Sequence, residues 1–312
     1  MKLRRLLPLI GVVIFIYIIY NIGLDKILQA SLLVNFKYLL LGTFLMCFLF
    51  LFQFFKWNSI LKSQGTNLEP SYIYWVNVVS QYYGVITPGK IGSLAKAFYL
   101  QSKLKTSLAK ASSSVMIDRI LDLLVVAIMG GAGILILADA FLLDFNKTLF
   151  FLVLMIIGCI TFLNEKVTRF FLGFFYDWFV PKRYKETLRN NFYSFYNNFP
   201  KWYNLIIPTI LTIVTWLYVY FISYIFALAY SIQIPIIPFL MISAIGTIIA
   251  LIPITFSGLG TREAFLIFAL GFYGVAAEKI VLMSVSGTIA LTLVCMLFGL
   301  YALYVKGIRI NS

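Results

Sequence analysis

Long apolar stretches, broken by short polar ones, run the length of this 312-residue chain. Stretches with no charged residue occupy 6–24, 38–55, 70–89, 123–138, 148–164, 202–261, 264–277 and 280–305. A helix needs about 20 predominantly apolar residues to cross a bilayer, so 202–261 must hold more than one segment. Ser231-Ile232-Gln233-Ile234-Pro235 is the natural divide, giving segments over 205–230 and 236–252. Two further breaks sit at corresponding places in the two halves. One is Pro88-Gly89-Lys90-Ile91-Gly92; the other runs from Pro253 through Ser257-Gly258-Leu259-Gly260-Thr261-Arg262-Glu263. Each follows a long apolar run and precedes a short one. Short paired runs around a Pro/Gly break predict helical hairpins, over 72–100 and 236–275, that enter the bilayer and can return to the same side.

The expected fold is therefore all-α: one polytopic membrane domain over 1–312, with about six full spans and two broken, possibly re-entrant, hairpins. Its first half is 1–164 and its second 202–312. Between them, 165–201 mixes Phe192, Phe195 and Phe199 with Arg189 and Lys201. It reads as an amphipathic surface segment that touches anionic lipid or a regulatory partner.

Composition agrees with this picture. The chain is 62% hydrophobic and 12% charged, against about 25% charged in soluble domains. The 30 Phe, 20 Tyr and 5 Trp suit a lipid-facing surface with interfacial belts. The net charge of +14 does not point to nucleic acid, because no basic soluble domain carries it. The absence of His removes the commonest general base and zinc ligand. Cys47, Cys159 and Cys295 lie inside apolar stretches without metal-ligand spacing and are expected to pack; no metal or cofactor is expected. Met1-Lys2-Leu3-Arg4-Arg5 followed by 6–24 has the outline of a signal peptide, but the apolar run is long and no small-x-small site follows. It is read as a retained span.

Charge then orients the chain. With both termini cytoplasmic and both hairpins returning to the side they open from, all 25 Lys and Arg fall inside except Lys26, Lys37, Lys147, Arg262 and Lys279. That asymmetry follows the positive-inside rule and predicts a multi-pass cell-membrane protein. Hairpins that cross twice give the same parity. The two halves become inverted three-element units, as in many secondary transporters, where broken helices at matching positions mark the substrate site.

Charges near the membrane are costly and invite a functional reading. Three clusters stand out. In the first, Pro88 stops a helix, Gly89 and Gly92 permit close backbone approach, and Lys90 and Lys96 with the free N–H groups of the next helix suit a phosphate. In the second, Ser257 or Thr261 can cap a helix that begins beside Gly258 and Gly260. Glu263 suits its first turn, and Arg262 can grip a phosphate or pair with an acid. In the third, Asp118 and Asp122 are i,i+4 neighbours, with Arg119 on another face of the same turn. They are candidates to pair with Lys90, Lys96 or Arg262. Thr209, Thr212, Thr215 and Ser223 read as helix–helix hydrogen-bonding groups.

These clusters resemble the transmembrane region of bacterial lysylphosphatidylglycerol synthase/flippase proteins and the related stand-alone flippase-like membrane proteins. Pro88-Gly89-Lys90-Ile91-Gly92-Ser93 matches P-G-[KR]-x-G-[ES]. Asp118-Arg119-Ile120-Leu121-Asp122-Leu123 matches [ED]-R-x-x-D followed by a hydrophobic residue, and Gly258-Leu259-Gly260-Thr261-Arg262-Glu263-Ala264 matches G-x-G-x-R-E-A. The resemblance implies handling or translocation of a phospholipid or isoprenoid-type lipid with a charged headgroup. The chain stops at Ser312, just after its last apolar run, so no synthase domain is expected. A separate lipid-modifying enzyme becomes a candidate partner. Two alternatives stay open: a membrane transferase acting on a polyprenyl phosphate or phospholipid with Asp118 and Asp122 as its carboxylates, and a non-catalytic subunit of an envelope lipid enzyme docking through 165–201.

Overall fold

The computed structural model describes residues 7–136, 164–170, 182–251 and 258–308, with single positions between 150 and 161. Among the described residues the chain is helical, without strands. In chain order the helices are α1 (Leu7–Ile22), α2 (Leu24–Leu32), α3 (Phe36–Ser63), α4 (Pro70–Ile86), a 3-10 turn (Pro88–Leu94), α5 (Ala95–Leu104) and α6 (Leu108–Ile136). They continue with α7 (Lys182–Tyr196), a 3-10 turn (Trp202–Leu205), α8 (Ile206–Ala229), α9 (Ile236–Leu251), α10 (Thr261–Gly271) and α11 (Ala277–Tyr304). A long helix, a broken pair and a second long helix thus occur twice, as α3/α4–α5/α6 and α8/α9–α10/α11.

Among the described residues four segments are long and apolar enough to cross a membrane: α3, α6, α8 with its preceding turn, and α11. A fifth is the bent pair α1–α2. The expected first span over 6–24 ends at Gly23, where a φ of 91° turns the chain by 80° into α2. Asp25 and Lys26 supply the polar character of that short helix. The expected span over 148–164 lies mostly outside the described residues.

Antiparallel packing of α3 on α8 forms the centre. The Asn35 amide, at the start of α3, donates to the Ala229 carbonyl that ends α8 at 2.8 Å. Tyr218 stacks on Phe52 with ring centroids 4.4 Å apart, and its hydroxyl donates to the Leu45 carbonyl at 2.8 Å. Gly42 lies against the Phe226 ring, where a side chain would not fit. Small residues also set the outer contacts, since between lipid-soluble helices close backbone approach replaces a hydrophobic driving force. Gly130 and Gly133 of α6 receive Ala244, Ile248 and Met241 of α9, and Gly299 of α11 receives Tyr82 of α4. Outward-facing Phe36, Phe44, Ile207 and Leu297 are exposed, as a lipid-facing surface requires.

The aromatic residues between 192 and 199 face inward. Within and beyond α7, Phe192 stacks on Tyr196 (4.7 Å) and Phe195 on Phe199 (5.8 Å). Phe199 packs on Ile60, Ile117, Leu121 and Leu205. Gln64, which ends α3, donates to the Asn198 carbonyl and the Ser113 hydroxyl. Residues 192–199 therefore pack at the end of the bundle where α3 finishes and α6 begins.

The hydroxyls of Thr209, Thr212, Thr215 and Ser223 do not bridge helices. Each donates to the carbonyl four residues earlier in its own chain segment, at 2.7 to 3.1 Å. In an apolar medium that carbonyl is the nearest available acceptor.

Candidate functional site

The first break is built by one threonine. Thr87 sits in extended backbone before Pro88, as a residue preceding proline must. Its hydroxyl donates to the Tyr83 carbonyl at 2.7 Å and accepts the Gly92 N–H at 2.7 Å, tying the end of α4 to the 3-10 turn. A Cβ on Gly92 would overlap the Tyr83 carbonyl itself. Gly92→Ala is therefore expected to lower the thermal midpoint of the detergent-purified protein sharply. Gly271→Ala, whose Cβ meets nothing within 4 Å, should leave it unchanged. The side chains of Pro88, Gly89 and Lys90 lie outside the described residues.

Beyond this turn, α5 delivers Lys96 to a buried ionic cluster. Its Nζ lies 2.8 Å from Asp118 Oδ2 and 4.8 Å from the centre of the Trp57 ring. The other Asp118 oxygen is 2.7 Å from Lys56 Nζ, and Lys56 also reaches Asp122 Oδ1 at 2.8 Å. Asp122 Oδ1 accepts a further bond from the Trp216 indole of α8 at 2.9 Å. Arg119 completes the group, 3.8 Å from Asp122 Oδ2 and donating to the Ser93 hydroxyl at 2.8 Å. The i,i+4 spacing puts both carboxylates on one face of α6, where they bracket Lys56. Lys56, Lys96 and Asp118 are buried, whereas the Arg119 side chain keeps 32% of its surface exposed.

The cluster lies well inside the bundle. Lys56 is about 10 Å along α3 from Ser63, and Asp122 about 21 Å along α6 from Leu108, at 1.5 Å per residue. Ions at such depth persist when paired and hydrogen-bonded, as these are.

The second break delivers a smaller cluster. Gly258 and Gly260 adopt φ of 80° and 84°, conformations that favour glycine. Gly260 also lies against the Gly11 backbone of α1, so no side chain fits there. Helix α10 starts with half a capping box: the Gly260 N–H donates to Glu263 Oε2 at 2.6 Å, but glycine has no side chain to return a bond. Ser284 of α11 donates to Glu263 Oε1 at 2.6 Å and accepts from the Arg262 guanidinium. Arg262 Nε lies 3.4 Å from the same Glu263 oxygen. Glu263 is buried, whereas the Arg262 side chain is 32% exposed. Ser257, the other expected cap, lies outside the described residues; the Thr261 hydroxyl donates to the Gly258 carbonyl at 3.2 Å.

The structure thus joins Lys96, Asp118, Arg119 and Asp122, and separately joins Gly260, Arg262 and Glu263. Among the described residues each ion pair stays within its own cluster. Lys96 is correspondingly committed to Asp118 rather than open to a ligand; Arg119 and Arg262 are the accessible cations. Lys56, Trp57, Trp216 and Ser284 were not among the residues singled out from the sequence. Among the described residues no group of three or more His, Cys, Asp and Glu is placed to hold a metal ion.

One curated relative, a UPF0104 membrane protein of Pyrococcus horikoshii, is 24% identical over 130 residues. That match covers 40% of this chain and 38% of the relative's length. The family profile described as lysylphosphatidylglycerol synthase TM region matches residues 6–299. With nearly the whole chain inside that match, including both breaks and the Asp118–Asp122 turn, this protein belongs to the lysylphosphatidylglycerol synthase transmembrane-region family.

Proposed function

We propose that this protein is a flippase-like membrane protein that binds a phospholipid or isoprenoid-type lipid by its charged headgroup and carries that headgroup across the bilayer. One observation carries the reading. In the first cluster, three cations, Lys56, Lys96 and Arg119, face two carboxylates, Asp118 and Asp122. Among the described residues one positive charge of this group has no carboxylate counterpart, and Arg119, 32% exposed, is the accessible member. A phosphate would supply the missing charge and match the planar guanidinium fork. Asp118 and Asp122 are both engaged by Lys56, which favours binding over the transferase reading, where these carboxylates would need to be available to a reacting centre.

The finer architecture proposed is six full spans with both termini cytoplasmic, two re-entrant hairpins and an inverted repeat. The packing supports it. Exchanging α3 with α8, α4 with α9, α5 with α10 and α6 with α11 maps packed pairs onto packed pairs: α6–α9 onto α11–α4, and α5–α6 onto α10–α11. The chemistry follows the same exchange. In each half, the second limb of the hairpin carries a buried charge bonded to a polar residue of the next long helix, Lys96 to Asp118 and Glu263 to Ser284. Helices α5 and α10, of 10 and 11 residues, extend about 15 Å, half the thickness of a hydrocarbon core.

In that architecture the headgroup would pass from one accessible arginine to the other while its acyl chains stay in lipid. The sequence carries no ATP-binding motif, so ions, the membrane potential or the lipid gradient would drive the step. Translocation of a labelled lipid in proteoliposomes, with Arg119→Ala as the diagnostic variant, tests the proposal.

A further inference from the structure

We propose that a cleft between α3 and α8, whose lining shares no residue with the ionic cluster, is a second and stationary site that retains an anionic phospholipid. The cleft is open to its surroundings and has a volume of about 560 Å³ at the end of the bundle where α3 finishes. Its walls grade from polar to apolar along the helix axes. Lys62, Tyr203 and Asn204 lie at the outer end. Phe55 and Ile207 lie deeper and are exposed, so the cleft opens sideways toward lipid. Phe55 is about 12 Å along α3 from Ser63, at 1.5 Å per residue. A phospholipid has the same gradient over the same distance, from phosphate to acyl chain.

The polar groups are arranged for an anion. None of the residues lining the cleft is acidic. Ser59 and Ser63 spend their hydroxyl protons on carbonyls of their own helix, Lys56 at 2.7 Å and Ile60 at 2.6 Å. The side chains of Asn58, Lys62 and Asn204 make no hydrogen bond or ion pair to another described residue, which leaves one ammonium and two amides for a ligand. A second cation stands at the rim: Lys201 Nζ is 5.8 Å from the centre of the Tyr203 ring. Exposed Trp202 and Tyr203 add the amphipathic aromatic pair typical of headgroup depth. The phosphate would sit on Lys62 with Asn58 and Asn204, and one acyl chain would follow Phe55 and Ile207. Lys56 and Trp57, which serve the ionic cluster, do not line the cleft, so the two sites are separate and this one requires no movement of the lipid across the bilayer.

The test is native mass spectrometry and thermal unfolding of the detergent-purified full chain. The probes are phosphatidylglycerol, phosphatidylcholine and, as a free soluble anion, glycerol 3-phosphate. The wild type should retain phosphatidylglycerol and gain thermal stability from it, with phosphatidylcholine at least about tenfold weaker. The triple variant N58A/K62A/N204A changes three side chains that are not buried, so its midpoint without lipid should match the wild type. Its phosphatidylglycerol retention should fall about tenfold. R119A should keep that retention, because Arg119 belongs to the other site. Three results would overturn the inference: full retention by the triple variant, equal retention of phosphatidylcholine, or displacement by glycerol 3-phosphate at comparable concentration. Retention lost in R119A but kept in the triple variant would put the lipid in the ionic cluster, removing this inference while leaving the proposed function standing. Retention lost in the triple variant together with failed translocation by the wild type would do the reverse.

Discussion

Asp118→Asn is expected to cost about 3–5 kcal/mol of stability, the range for removing one partner from a buried ion pair. The substitution keeps the shape and removes the charge. Lys96 then loses the carboxylate 2.8 Å away and is left buried against the Trp57 ring, while Lys56 retains Asp122. Asp122→Asn should cost clearly less, about 1–2 kcal/mol, because Lys56 keeps Asp118 and an amide oxygen can still accept the Trp216 bond. Lys96→Met introduced into Asp118→Asn should recover part of the loss, since it removes the orphaned charge and preserves packing over Trp57. Thermal unfolding in a mild detergent gives the ranking. Equal midpoints for the two Asp variants would contradict the assignment of Asp118 as the hub shared by two lysines.

Glu263→Ala is expected to be the other severe change, at about 2–4 kcal/mol, from the cost of leaving buried polar groups unsatisfied. It strips the acceptor from the Gly260 N–H at the start of α10 and from the Ser284 hydroxyl on α11, and removes the carboxylate beside Arg262. Glu263→Gln keeps an acceptor for Gly260 and should recover more than half of the loss. A structural role in capping alone predicts that Ser284→Ala is silent. The shared bond predicts a measurable loss there too, because the Arg262 guanidinium also uses that hydroxyl.

Much of this was readable from residue pattern. The helix break at Pro88 was legible because its causes are local: a proline that ends α4 and a glycine pressed against neighbouring backbone. The pairing of Asp118 and Asp122 on one face followed from helical spacing. Lys56 was hidden because a charge seemed to end the apolar run at Phe55. Yet α3 continues through Trp57, Ile60 and Leu61, all buried, and that continued period is the signal that the helix carries its lysine inward. Trp216 and Ser284 left no mark, since an indole in an apolar helix or a lone serine becomes a hydrogen-bond partner only through tertiary packing. The bend at Gly23 was masked for a related reason: the apolar run passes through it, and only the backbone shows the turn.

The ionic cluster also accounts for why the accessible groups are arginines. The lysines and carboxylates pair with one another in the interior, and among the described residues the one positive charge in excess is presented on Arg119. Its hydroxyl neighbour, Ser93, satisfies one guanidinium hydrogen without cancelling the charge. The cluster is thereby paired where it is buried and keeps its charge on the member that is partly exposed.

The most direct measurement of that account is lipid translocation by the purified protein in liposomes, read as inter-leaflet movement of fluorescent phosphatidylglycerol beside fluorescent phosphatidylcholine. Wild-type protein should move the anionic lipid faster than protein-free vesicles and faster than the neutral one. Arg119→Ala should slow it about tenfold or more, the effect of losing one charge-assisted contact, with Arg119→Lys in between. Wild-type rates no higher than empty liposomes across several anionic lipids, or rates unchanged in Arg119→Ala, would contradict it.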